Sequence, residues 1–191
     1  MIVVDYWKGN KLRLRSIQLS DIELFDLFDD EDDKCVDVIH LPQTTETRKR
    51  WIESKMGKRE LGDGYLWIAE DVNSKPVGVI DTFSCNRRQG TFKYAMTVGK
   101  PFRGNGYATE MILMVLRYYF LELGYQKVTP HVYSFNNASV KLHEKLGFVK
   151  EGQLRNMIYT NGIYHDELYY GMTKQEFEMK YREFLTRSNK E

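Results

Sequence analysis

Cysteine is scarce in this chain: Cys35 and Cys85 are the two among 191 residues. They stand far apart, forming neither a paired metal motif nor a disulfide framework, so buried or idle thiols are expected. Long apolar runs are missing too. No stretch approaches the roughly 20 residues that span a bilayer, and residues 1–10 lack a basic region followed by an apolar core. The expectation is a cytoplasmic protein without a membrane partner. An excess of one charge is likewise absent, since 28 basic side chains face 27 acidic ones and the net charge is +1. That balance supplies no general electrostatic reason to bind nucleic acid. The four histidines, His40, His131, His143 and His165, show no His-x-x-x-His or His-Glu-x-x-His spacing, so no metal site is expected.

What is present is an ordinary globular composition, 42% hydrophobic, and one domain over residues 1–191 is expected. The most informative stretch runs from Met96 to Glu110. A strand-like segment breaks at Gly99 to Pro101, turns through Arg103, Gly104, Asn105 and Gly106, and enters a long apolar run at Tyr107 and Ala108. The first NH groups of a helix lack internal partners and sit at the positive end of its dipole, so such a turn suits a phosphate or pyrophosphate. Small residues let a ligand approach the backbone closely. A Walker loop requires Gly-Lys-Ser/Thr, which Gly106-Tyr107-Ala108 does not supply. A dinucleotide fingerprint requires a third glycine or alanine where Thr109 stands, and belongs at the first strand of a parallel unit. A plain structural turn remains open on this motif alone.

Ahead of that turn, residues 11–17 alternate as a half-buried strand, and Ser20-Asp21-Ile22-Glu23 offers a capping box for a short helix. The acidic run Asp29, Asp30, Glu31, Asp32, Asp33 reads as a solvated loop or as an attractor for a cationic amine. A polar helix from Thr44 to about Lys58 has Trp51, Ile52 and Met56 as its expected buried stripe. Residues 65–70 and 76–83 read as a hairpin joined at Asn73-Ser74-Lys75, and residues 91–98 as a further strand. After the turn come a helix to about Leu123, a strand over residues 126–133, and a helix from about Asn136 to Leu146. Thr160-Asn161-Gly162 then turns a hairpin between residues 152–159 and 163–172, and residues 174 to about 186 form an amphipathic helix.

A second motif, Asn136-Asn137-Ala138-Ser139 followed by His143-Glu144-Lys145-Leu146-Gly147-Phe148, lies downstream. Taken together, the two segments resemble the GNAT superfamily of N-acetyltransferases. The first resembles its acyl-CoA loop, Arg or Gln followed at fixed spacing by Gly and by Gly or Ala, here Arg103, Gly106 and Ala108. The second resembles its Asn-x-x-Ser/Ala segment and the helix ending Glu-Lys-x-Gly-Phe. Tyr159-Thr160-Asn161-Gly162 and Tyr164-His165-Asp166-Glu167 are most similar to the branch holding ribosomal-protein N-terminal and spermidine acetyltransferases.

The resemblance implies an α+β fold: a mixed, mostly antiparallel seven-stranded sheet with strands 4 and 5 splayed, flanked by helices. It implies acetyl-CoA as cofactor, and a small-molecule amine or a protein N-terminus as partner; a homodimer is compatible. Met96 and Val98 are expected to meet pantetheine, with the Val98 NH as oxyanion donor. Arg103, Gly104, Asn105, Gly106, Tyr107 and Ala108 are expected to hold the pyrophosphate, and Asn136 and Ser139 the arm from the other wall. Asn136 is also a favoured helix cap.

Two positions depart from the family: His143 stands where many relatives carry a tyrosine acid, and Lys93 where a glutamate is frequent. Imidazole can donate a proton near neutral pH, so His143 is the candidate acid, against a plain surface histidine. The base is expected among Asp81, Glu70 and Asp166, each also readable as structural, or the amine loses its proton through water. The missing residues leave a non-catalytic acyl-CoA-binding module as the alternative, with a nucleotide-binding protein a third reading.

Overall fold

The computed structural model describes residues 5–28, 43–56, 62–182 and 184; the acidic run at 29–33 lies outside them. Strand β1 (Leu12–Ser16) buries Leu12 and Leu14 on alternate positions, as its period of two requires. Helix α1 (Ile22–Phe25) follows a turn locked not at Ser20 but by Asp21. The Asp21 carboxylate is buried, accepts the Gln18 NH at 2.7 Å and pairs with Arg15 at 2.6 Å. Helix α2 (Thr45–Lys55) is capped by the Thr44 hydroxyl, which accepts the Thr47 NH. Of its expected stripe only Ile52 is fully buried. Trp51 stays 37% exposed with its edge against Phe25, and Met56 is exposed, because α2 meets the sheet through a single inward position.

Strands β2 (Leu66–Asp71), β3 (Pro76–Asn86) and β4 (Thr91–Val98) form an antiparallel meander. Helix α3 (Tyr107–Arg117) lies beyond the turn and continues as a π-helical segment to Glu122. The strand expected over residues 126–133 is two pieces, β5 (Lys127–Val128) and β6 (His131–Tyr133), interrupted at Pro130, which has no NH for a ladder. Helix α4 (Asn137–Leu146), the long hairpin β7 (Val149–Thr160) and β8 (Ile163–Thr173), and helix α5 (Lys174–Lys180) complete the described elements. Asn161 and Gly162 turn the hairpin with positive φ at both positions, as a type I′ turn requires.

The described sheet runs β1-β2-β3-β4-β5-β8-β6, with β7 paired to β8, making eight strands. One junction is parallel. β4 pairs β5 only at Thr91↔Lys127 and Phe92↔Val128, and beyond that point β6 pairs with β8 instead. The sheet therefore opens between β4 and β6, as expected of splayed strands.

Two cores flank it. The larger one sits under α3 and α5 and includes Phe92, Tyr94, Val98, Met111, Val115, Leu168, Tyr170 and Phe177. The smaller one, Ile17, Leu24, Ile52, Leu66 and Ile68, lies on the face covered by α1 and α2. Among the described residues no helix is long and apolar enough to cross a membrane.

Candidate active site

Strand parity decides what lines the opening. Phe92 O accepts the Thr129 NH at 2.9 Å, toward β5, whereas the Gly99 NH donates to Val77 O at 2.9 Å, toward β3. Successive backbone groups alternate sides, so the even-numbered residues of β4 aim their NH and C=O at the opening. Met96 and Val98 are among them. Arg103 Nε donates to Val98 O at 3.1 Å and anchors the turn to the strand end.

The turn itself places Gly104 at φ +83° and Gly106 at φ +81°, the latter as N-cap of α3. Side chains rarely adopt that conformation, so glycine is what lets the chain enter α3 here. The NH groups of Tyr107, Ala108 and Thr109 open the helix, and the first internal bond is Glu110 NH to Gly106 O at 3.2 Å. Asn105 Nδ2 closes the turn by donating to Phe102 O at 3.0 Å. Lys11, the residue just before β1, belongs to this turn. Its ammonium donates to Asn105 O at 2.9 Å, and its backbone NH meets the Glu110 carboxylate at 3.1 Å.

Because β4 and β5 are parallel, the chain leaves β4 and β6 at the same edge of the sheet, and α3 and α4 begin there. That edge, outside the carboxyl ends of strands that diverge, is where open sheets bind ligands. Asn136 is the N-cap of α4: its Oδ1 accepts the Ser139 NH at 3.0 Å, so its capping role is realised. The predicted loop and the predicted Asn136 and Ser139 are thus brought to one edge.

His143 is one helical turn on, 4% exposed. Its Nδ1 lies 2.8 Å from Ser139 O, and a carbonyl only accepts, so Nδ1 carries the proton. Nε2 then accepts the Tyr94 hydroxyl at 2.8 Å. The imidazole stacks on Tyr94 and Tyr170, with ring centroids 5.9 and 5.6 Å away, and Phe148 meets its edge. Burial lowers its pKa, partly offset by the Ser139 carbonyl, and the same burial pushes the Tyr94 phenol well above its usual range. Tyr94, concealed in the sequence as one more apolar position of β4, is the partner that defines His143.

The expected carboxylates separate. Asp81 pairs in register with Ala95 of β4 and shares the face of Val79 in the smaller core, one strand behind the opening. Glu70 of β2 pairs with the Arg15 guanidinium of β1. Asp166 accepts the Asn156 NH at 3.0 Å and a Gln153 amide NH, which hold its pKa below the usual carboxylate range. Asp166 thereby clamps the irregular part of the β7–β8 hairpin, and Glu70 braces β1 against β2.

An open, mostly antiparallel sheet with a glycine turn feeding a helix at the mouth of two splayed strands defines an acyltransferase of the N-acetyltransferase class. The Acetyltransferase (GNAT) domain family matches residues 11–149, and the chain belongs to that family. It is 49% identical over 180 residues to the SPbeta prophage-derived uncharacterized N-acetyltransferase YokL of Bacillus subtilis (strain 168), covering 94% of this chain and 99% of that one. A spermidine N(1)-acetyltransferase of Vibrio cholerae is 29% identical over 100 residues, 52% of this chain and 58% of that one. The crystal structure of spermidine/spermine N-acetyltransferase SpeG from Vibrio cholerae has the same fold, with a TM-score of 0.72 at 19% identity, over 89% of this chain and 96% of that one.

Proposed function

We propose that this N-acetyltransferase moves the acetyl group of acetyl-CoA directly to a primary amine. The observation that carries the reading is the opening between β4 and β6, with the α3 turn and the α4 cap at its edge. The residues present fit the cofactor. The Arg103–Ala108 backbone suits the pyrophosphate, the Met96 and Val98 backbone suits the amides of pantetheine, and Asn136 and Ser139 face it from α4. Bound acetyl-CoA would supply the reactive thioester. The Val98 NH is the donor for the oxyanion that forms when the amine attacks.

His143 serves this reading as a positioning residue. Burial disfavours the imidazolium, so it is a poor standing acid, and its Nε2 instead holds the Tyr94 hydroxyl at the wall of the opening. The departing thiolate then takes its proton from the attacking nitrogen, which has one to lose once the new C–N bond forms. Asp81, on the face away from α3, contributes attraction for the incoming ammonium.

The acceptor is a protein N-terminus, a polyamine or an amino sugar. The spermidine acetyltransferases among its relatives favour the polyamine. The test is release of free thiol from acetyl-CoA across a panel of spermidine, glucosamine and short peptides with free N-termini. Acceptor-dependent thiol with at least one amine is expected. Tight acetyl-CoA binding with no such release would leave a non-catalytic acyl-CoA-binding module.

Lys11 gives a second check. Lys11→Ala is expected to raise the acetyl-CoA dissociation constant about threefold to tenfold at low salt, because an exposed cation beside a phosphate is screened by added ions. The difference, read by calorimetry, should shrink as ionic strength rises; a salt-independent effect would remove Lys11 from the phosphate site.

A further inference from the structure

Lys93 stands where the resemblance implies a glutamate, and on the other side of the opening, one strand behind β6, lies a carboxylate to which the reading above gives no role. Glu167 of β8 is 7% exposed and pairs in register with Tyr133 of β6. One oxygen lies 3.4 Å from His131 Nε2, and the other accepts the Tyr169 hydroxyl at 3.0 Å. Val132, Leu168 and Tyr170 point into the larger core, so alternation puts His131, Tyr133, Glu167 and Tyr169 on the other face of the sheet. That face is the accessible one: across the opening, β4 presents exposed Ala95, and Lys93 stands with its ammonium 5.4 Å from the Tyr169 ring. A carboxylate withdrawn from water is costly unless partners hold it, and one held by an imidazole and a phenol beside an open cleft is placed to accept a proton.

We propose that Glu167 is the proton acceptor for the amine, with His131 and Tyr169 as positioning residues. This rests on the acetyl-transfer reading above. The ammonium gives one proton to Glu167, which releases it to solvent before the next turnover. The neutral nitrogen forms a bond to the thioester carbon while the carbonyl pair moves to oxygen. The carbonyl re-forms, the C–S bond breaks, and the thiolate takes a second proton from the nitrogen. The products are the acetamide, free thiol and one proton. The groups facing Glu167 are His131 and Tyr133 of β6, Tyr169 of β8 itself and Lys93 across the opening; its neighbour in register on β7 is the uncharged Leu154.

The experiment compares wild type, Glu167→Gln, Glu167→Asp and His131→Gln with the best amine of the panel from pH 7 to 9, with acetyl-CoA affinity measured in parallel. Glutamine still accepts the Tyr169 hydroxyl, so the fold is expected to hold. Glu167→Gln should lose about a hundredfold or more in kcat at pH 7, within the usual range for a general base. Acetyl-CoA affinity should stay within about twofold. The loss should shrink toward pH 9, where more amine arrives unprotonated, and Glu167→Asp should recover part of the rate. His131→Gln should show a smaller loss with the same pH trend. Glu167→Gln activity within threefold of an active wild type, or a loss equal at pH 7 and 9, overturns this assignment alone. A wild type that binds acetyl-CoA and acetylates no amine overturns it together with the reading on which it rests.

Discussion

Gly106→Val is expected to weaken acetyl-CoA binding about a hundredfold, equivalent to about 2.8 kcal/mol. Gly106 sits at φ +81° as the N-cap of α3, a conformation that is worst for a β-branched side chain. Valine would either strain the turn or swing the first NH groups of α3 away from the ligand. The added bulk would also stand where a phosphate must approach, since even a Cβ at this position lies 3.2 Å from Lys11 Nζ. Gly104→Val separates the two causes. Its φ is +83°, but nothing lies within 4 Å of an added Cβ, so it should report strain with less obstruction and lose only about tenfold. Calorimetric titration with acetyl-CoA and with CoA measures both. If Gly106→Val bound acetyl-CoA as wild type does, the pyrophosphate would have to lie elsewhere.

His143→Ala should cost about 3 kcal/mol of stability, from a cavity among Tyr94, Phe148 and Tyr170 plus two lost hydrogen bonds. In a domain of this size that lowers the Tm by about 6–12 °C. The sign of the pH dependence follows from the lowered pKa of His143. Its folded value lies below its unfolded value of about 6.5, so the unfolded chain binds the extra proton first. The penalty is absent above the unfolded pKa, begins as pH falls through about 6.5, and grows until the folded pKa is passed. Chemical denaturation at pH 7.5 and 5.5 should show a smaller acid loss in His143→Gln than in wild type; an equal loss would mean that the imidazole already carries charge in the fold. At pH 7.5, His143→Ala should also lower turnover more than acetyl-CoA affinity, because Tyr94 loses the acceptor that holds it. Unaltered turnover would remove His143 from the mechanism.

The glycine turn before α3 and the cap of α4 were legible because their requirements are local. Gly104 and Gly106 appear where positive φ is needed, Asn136 where a helix needs a cap, and both lie next to their own elements in sequence. The pairing of residues 65–70 with 76–83 and the Asn161-Gly162 turn were readable for the same reason. What escaped were contacts made across the sheet. Trp51 and Met56 have the spacing of a buried stripe, yet only Ile52 reaches the core, since the depth of a helix face depends on what it packs against. Tyr94 lies 49 residues from His143, and nothing in either segment announces the bond between them.

Backbone chemistry alone determined the turn at Arg103 to Ala108, the cap at Asn136 and the alternation that sends one set of side chains to each face. These depend on φ, on unpaired NH groups and on a period of two, all properties of neighbours in the chain. Tertiary structure decided which groups meet. Parallel pairing limited to two residues of β4 created the opening, burial set the His143 Nε2 against the Tyr94 hydroxyl, and the β6–β8 ladder set Glu167 beside His131. A proton's position depends on burial and on partners distant in sequence, and those exist only once the sheet has assembled.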